Sequence, residues 1–176
     1  MQTTLKRRAF ITPLILAGLA RWLSPSAAAA ADEAKRFEPK PEDFSGAATE
    51  ALRVMSRRAE ELRVKGVAVV AYVEGEQVTS WSSKMVVVGS MKNTPTEKDK
   101  GANLLGIAYA KAAEMAESLK DSGTAGRPPM TGEFGWQGGV IAKSKTGWVL
   151  TAFSGGPSED DVRISRAGLQ VLVGRL

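Results

Sequence analysis

The run Val67-Ala68-Val69-Val70-Ala71-Tyr72-Val73 is the feature that most constrains this chain, because consecutive apolar residues rich in β-branched types cannot alternate between core and solvent. It predicts a central strand covered on both faces. Gly75-Glu76-Gln77 and a second β-branched, aromatic-containing run, Val78 to Val88, follow it, so the pattern reads as a hairpin around a short turn. A second hairpin is predicted from Gly138–Ser144 and Gly147–Gly155, joined by Lys145-Thr146-Gly147.

Helical periodicity surrounds these strands. Ala48, Leu52, Met55, Ala59 and Leu62 recur at steps of four and three, with Asp43 or Ser45 available to cap the start and Gly66 to end the helix. A polar loop from Ser90 to Asn103 leads into a second helix. Its inward face is Leu104, Ala108, Lys111 or Ala112, Met115 and Leu119, small enough to lie close to a sheet. A third helix opens at Ser158, with Asp161 in capping-box position and Val162, Leu169 and Leu172 or Val173 facing inward. The order predicts a single α+β domain: an antiparallel sheet of about four to five strands built from two hairpins and packed with three main helices.

Residues 1–31 have the layout of an export signal: Lys6, Arg7 and Arg8, an apolar run of 12 residues from Ala9 to Ala20, and a small-residue cleavage region ending at Ala31. The apolar run is short of the roughly 18 residues that span a bilayer, so no permanent membrane span is expected. Lys-Arg-Arg-Ala-Phe-Ile resembles a twin-arginine signal, with the general export route as the alternative, and the chain is expected to be periplasmic or secreted. Removing the signal leaves 145 residues. It takes away four basic residues and no acid, so the formal net charge falls from +5 to +1 and gives no support to nucleic-acid binding. Residues 32–43 are charged, contain Pro39 and Pro41, and read as a flexible leader before a domain at 44–176.

Cysteine and histidine are both absent, which excludes disulfides, thiolate or imidazole metal sites and Cys- or His-based triads. Ala152–Asp161, "AFSGGPSEDD", looks like a phosphate-cradling loop, but Glu159, Asp160 and Asp161 would occupy the helix start themselves. The turn therefore reads as structural, with Gly155 and Gly156 leaving the strand where a Cβ is not tolerated. Asp121 to Gly139 is a 19-residue stretch with six glycines and two prolines and no periodicity, and loops of this length are disproportionately functional. Phe134, Trp136 and Trp148 are expected to cluster at its Gly-Gly exit, near Arg127 and Glu133, as a lid over a flat ligand or the seal of a subunit interface. Lys111 and Glu114 stand three apart on one helix, as an acid–base pair or a surface ion pair.

Four segments carry a family likeness: "VAVVAYVEGEQVTSWSSKM", "IAYAKAAEMA", "GWQGGVIA" and "GWVLTAFSGGPSEDDVRISRAGL". From about Phe44 to the C-terminus the chain resembles the GlcG/HbpS family of haem-binding or haem-degrading domains. The resemblance implies haem as cofactor. The residues able to ligate its iron are Tyr72, Tyr109, Met55, Met85, Met91, Met115, Met130 or a deprotonated lysine. Tyr109, Lys111, Glu114, Met115 and Trp136 are the candidate cofactor-binding residues, with core packing as the alternative role for Tyr109 and Met115. The expected function is that of an exported, homo-oligomeric binder of haem or another flat ligand, without turnover. The alternative is a cofactor-free accessory subunit of an exported enzyme or sensor; a small enzyme using Lys111 and Glu114 is a third.

Overall fold

The computed structural model describes residues 41–176. The elements are α1 (Pro41–Glu61), β1 (Gly66–Glu74), β2 (Ser82–Val88), β3 (Lys92–Asn93), β4 (Ala102–Asn103), α2 (Leu104–Ser118), β5 (Gly139–Lys143), β6 (Gly147–Ser154) and α3 (Ser158–Arg175). The export signal and most of the leader lie outside the described residues.

The main sheet is fully antiparallel, in the order β2-β1-β6-β5, and β3 and β4 form a separate small ribbon. The domain is α+β. Pairing β1 with β6 brings the two hairpins into one sheet, from Val67 opposite Ser154 to Glu74 opposite Gly147. As its unbroken apolar run requires, β1 is buried from Gly66 to Val73. One face carries Ala68, Val70, Tyr72, Val149 and Phe153 under α1 and α3. The other carries Val67, Val69, Ala71, Leu150 and Ala152 under α2 alone. The three-layer result explains the small residues of α2: Ala108 and Ala112 are buried against the sheet.

Several local expectations shift. α1 begins at Pro41, earlier than Phe44, with proline at the first helical position where its missing N–H costs nothing. Neither Asp43 nor Ser45 caps it, since both lie inside the helix. Nor does Gly66 end it. Arg63 takes the left-handed conformation (φ 57°), Val64 N–H bonds to Ala59 C=O and Arg63 N–H to Glu60 C=O, the two bonds of a Schellman end. Gly66 instead opens β1, where a Cβ would run into the Ser154 carbonyl and the Phe153 ring. The first hairpin is not tight: the β1–β2 ladder closes at Tyr72 opposite Ser82, leaving Val78–Trp81 outside it. Leu119 lies just past α2, ending it with φ 52°.

On α3 the buried face is Asp161, Ile164, Ser165, Gly168 and the expected Leu172; Leu169 packs partly against the same core, whereas Val162 is half-buried and Val173 is exposed. Two polar groups and a glycine are buried because the sheet and α1 need them there. Thr151 Oγ1 donates to Ser165 C=O (2.7 Å), and Ser165 Oγ donates to Gly138 C=O (2.7 Å). Gly168 lets Met55 of α1 pack against the α3 backbone, since a Cβ would meet its sulfur. Among the described residues no helix is long and apolar enough to cross a membrane.

Candidate functional site

Lys111 reaches this site because α2 places it one turn beyond Ala108 on the sheet-facing side. Its ammonium donates to Phe153 C=O (2.8 Å) at the end of β6 and to Asp161 Oδ2 (2.8 Å) in the first turn of α3. Both side chains are almost completely shielded, at 3% and 4% exposure. Burial pushes the Asp161 carboxyl above its ordinary value, opposed by the Lys111 charge and by the N–H groups of Gly156 and Gly155. Gly138 has no side chain because a Cβ there would strike the Lys111 ammonium.

The Gly-Gly turn is structural, as the sequence indicates. A Cβ on Gly155 would press on the Lys65 carbonyl, and Gly156 N–H donates to Asp161 Oδ1 (2.9 Å). The capping box does not form: Pro157 is the N-cap, its C=O receives the N–H groups of Asp160 and Asp161, and no side chain caps the helix. Asp161 is turned away from Ser158 because Lys111 and Gly156 claim its carboxylate.

Above this pair opens a pocket of about 310 Å³, bordered by Ile107, Trp136, Gln137, Ser154 and Ser158 with Lys111 and Asp161 at its floor. An ammonium has three hydrogens, and two are used; among the described residues the third has no partner. Asp99 also borders the pocket and accepts the Gly101 N–H (2.8 Å). Lys111 is paired with Asp161, and the other charged residue on the lining is the exposed Asp99, so the lining holds no unpaired cation for an anion.

The remaining candidates are dispersed. Glu114 is buried but does not pair with Lys111; its Oε1 accepts the Gly123 N–H (2.8 Å), anchoring the start of the long loop. Met115 is core, packed under Gly139. Tyr109 is half-buried, its hydroxyl 3.4 Å from Ser83 Oγ, and lines a different groove of about 620 Å³ along β2 with Met85, Lys84, Arg53 and Leu52. Trp136 is half-exposed at the pocket mouth and stacks on Phe134, with ring centroids 4.8 Å apart. Trp148 does not join them. It pairs across the hairpin with Lys143, whereas Gly139 pairs with Ala152, four residues or about 13 Å further along the strand.

The long loop is held by Arg127, which donates to both carboxylate oxygens of Glu133 (2.7 and 2.9 Å) and also to Glu117 of α2. Those hydrogen bonds, with one from Met130 N–H, hold the Glu133 carboxyl at about 2.

The fit to haem is poor. Neither a tyrosine nor a methionine borders the Lys111 pocket. Tyr72 donates to Thr146 Oγ1 (2.8 Å), Met55 and Met115 are fully buried in the core, and Met91 and Met130 are exposed on loops. Among the described residues Tyr109 and Met85 share a groove, with residues from both faces of the sheet at the β2 edge on its lining. Among the described residues no group of His, Cys, Asp and Glu is placed to hold a metal ion. Asp161 is the site residue that sequence reasoning assigned only to a cap. A lysine on the inward face of an alanine-rich helix signals a buried acid, but its partner lies 50 positions away. No family model matches the chain, and no curated protein matches it.

Proposed function

We propose that this chain is an exported ligand-binding protein that holds a compact planar molecule without turning it over. The observation that carries the reading is a pocket whose lining includes both a buried ammonium with one unused hydrogen and a half-exposed tryptophan. Trp136 supplies an aromatic face, and Lys111 supplies one directed donor to an acceptor on the ligand rim. About 310 Å³ is at the small end of ligand sites, enough for one or two fused rings and too little for haem. With Lys111 already paired to Asp161, the lining has no unpaired cation to reward a carboxylate, which favours an uncharged heteroaromatic. Turnover is not assigned, because Lys111 and Asp161 are committed to each other and to the backbone.

Nicotinamide, nicotinate and haemin test the reading when titrated into the full chain while tryptophan fluorescence is followed. Saturable quenching by nicotinamide, weaker with nicotinate and lost in Trp136→Ala, is expected. Equal quenching by the carboxylate, or a response indifferent to Trp136, would refute the site. A saturable Soret shift with haemin would refute the size argument. Export is tested separately, by finding the N-terminus of the periplasmic form at Asp32. The stacked, exposed Phe134–Trp136 pair also favours the alternative of a docking subunit, which a colourless protein co-purifying with another exported chain would support.

A further inference from the structure

The sheet has two outer strands, and they differ in what meets their free edges. The long loop meets half of the outward groups of β5: Ile141 N–H donates to Asp121 Oδ1 (3.0 Å), Gly139 N–H to Ser122 Oγ (2.8 Å), and Gly139 C=O accepts from Ser122 N–H (3.2 Å). On β2 the register turns Ser83, Met85 and Val87 outward, and among the described residues none of their backbone N–H or C=O groups is met, although β2 is the longer of the two strands. An open edge of this length is a template for another strand. Val87 is exposed on it.

We infer that β2 is the seam of a two-fold dimer, in which two copies of this chain pair their β2 strands antiparallel about Met85 and join their sheets into one. The register is self-complementary. It sets Ser82 opposite Val88, Ser83 opposite Val87 and Lys84 opposite Val86, so no like charges face each other directly. Lys84 directs its ammonium to Ser45 Oγ (2.6 Å) and Ser45 C=O (3.2 Å) on its own α1, and Glu50 neutralises Arg53 on the same helix. The helices agree with the strands. α1 packs over β1 and β2, and strands lie about 4.8 Å apart, so the pairing brings the two α1 helices to about 10 Å, the spacing at which helices pack. The groove of about 620 Å³ beside Thr49, Leu52, Arg53 and Ser56 is the space that this contact closes. This surface is separate from the Lys111 pocket, so the two proposals stand or fall independently.

The chain contains no cysteine, which makes a single introduced thiol a clean reporter. Met85→Cys sets its two Cα atoms about 5.5 Å apart across the two-fold axis, within disulfide reach, and mild oxidation is expected to give a covalent dimer. Val87→Cys sets its pair about 13 Å apart along the seam and is expected to stay monomeric on denaturing gels. Two double variants test the register by sedimentation. Ser83→Lys with Val87→Lys opposes like charges twice, and Ser83→Lys with Val87→Glu opposes unlike charges twice, so their dimer dissociation constants are expected to differ roughly tenfold or more. Matched circular dichroism shows that both fold; if either does not, the two cysteine variants decide. A chain that stays monomeric at all accessible concentrations overturns the inference, whether the edge stays bare or residues 1–40 of the same copy cover it. So does a dimer that Met85→Cys fails to lock, or one indifferent to the charge swap.

Discussion

Replacing Lys111 with methionine keeps most of the side-chain volume and removes only the charge and its hydrogen bonds. Asp161 would then be a buried carboxylate with backbone N–H partners alone, and Phe153 C=O would lose its donor. Breaking one side of a buried ion pair costs about 3–5 kcal/mol, because the remaining charge is left uncompensated. Domains of this size are stable by about 5–15 kcal/mol, so the variant should fold with a melting temperature lowered by roughly 10–20 °C. Its pH dependence identifies the cause. The folded-state carboxyl of Asp161 is already raised above its ordinary 3.8 by burial, and losing Lys111 raises it further. A carboxyl raised on folding contributes stability that is present below its unfolded value and lost as pH rises through the folded value. The deficit of Lys111→Met should therefore be largest at neutral pH and shrink on acidification. Adding Asp161→Asn, which removes the charge but still accepts from Gly156, should restore more than half of it. Urea unfolding at several pH values, followed by far-ultraviolet circular dichroism, measures both effects. A single variant within about 1 kcal/mol of the parent, or a deficit that neither acid nor Asp161→Asn relieves, would show that the pair does not act as a buried charge couple.

Two further outcomes follow from the same geometry. Gly155→Ala should destabilise by about 1–3 kcal/mol in urea, since its Cβ meets the β1 entry backbone, Gly66 Cα among it at 2.7 Å, while Gly156→Ala should cost less because only a movable Val64 methyl stands at 2.8 Å. Glu133 should titrate near 2 by carbon-detected NMR and return toward its ordinary 4.5 in Arg127→Ala; being depressed on folding, it supports the loop above 4.5 and loses that support as pH falls toward 2, seen as a lower protection factor of the Met130 amide relative to its intrinsic exchange rate at each pH, and a parent midpoint near 4.5 would refute the coupling.

The sequence alone determined the layers. Seven consecutive apolar residues admit only a doubly covered strand, the second hairpin is legible in Lys145-Thr146-Gly147, and the steps of four and three in α1 name the face that is buried. These signals are local: each depends on the periodicity of one element. Tertiary structure decided everything that depends on two elements meeting. α3 buries Ser165 and Gly168 beside Ile164 and Leu172, because Gly138 and Met55 want them inside. Lys111 leaves Glu114, three residues away, for Asp161 on another helix, since the sheet end brings those two under one pocket and sends Glu114 to the loop. Tyr109 and Trp136, read as parts of one site, go to opposite features, the β2 groove and the Lys111 pocket, because helix spacing says which face a side chain takes and nothing about what faces it. Which outer strand is partly covered was likewise invisible in the strand sequences, because Asp121 and Ser122 reach β5 only once the long loop has folded back along it.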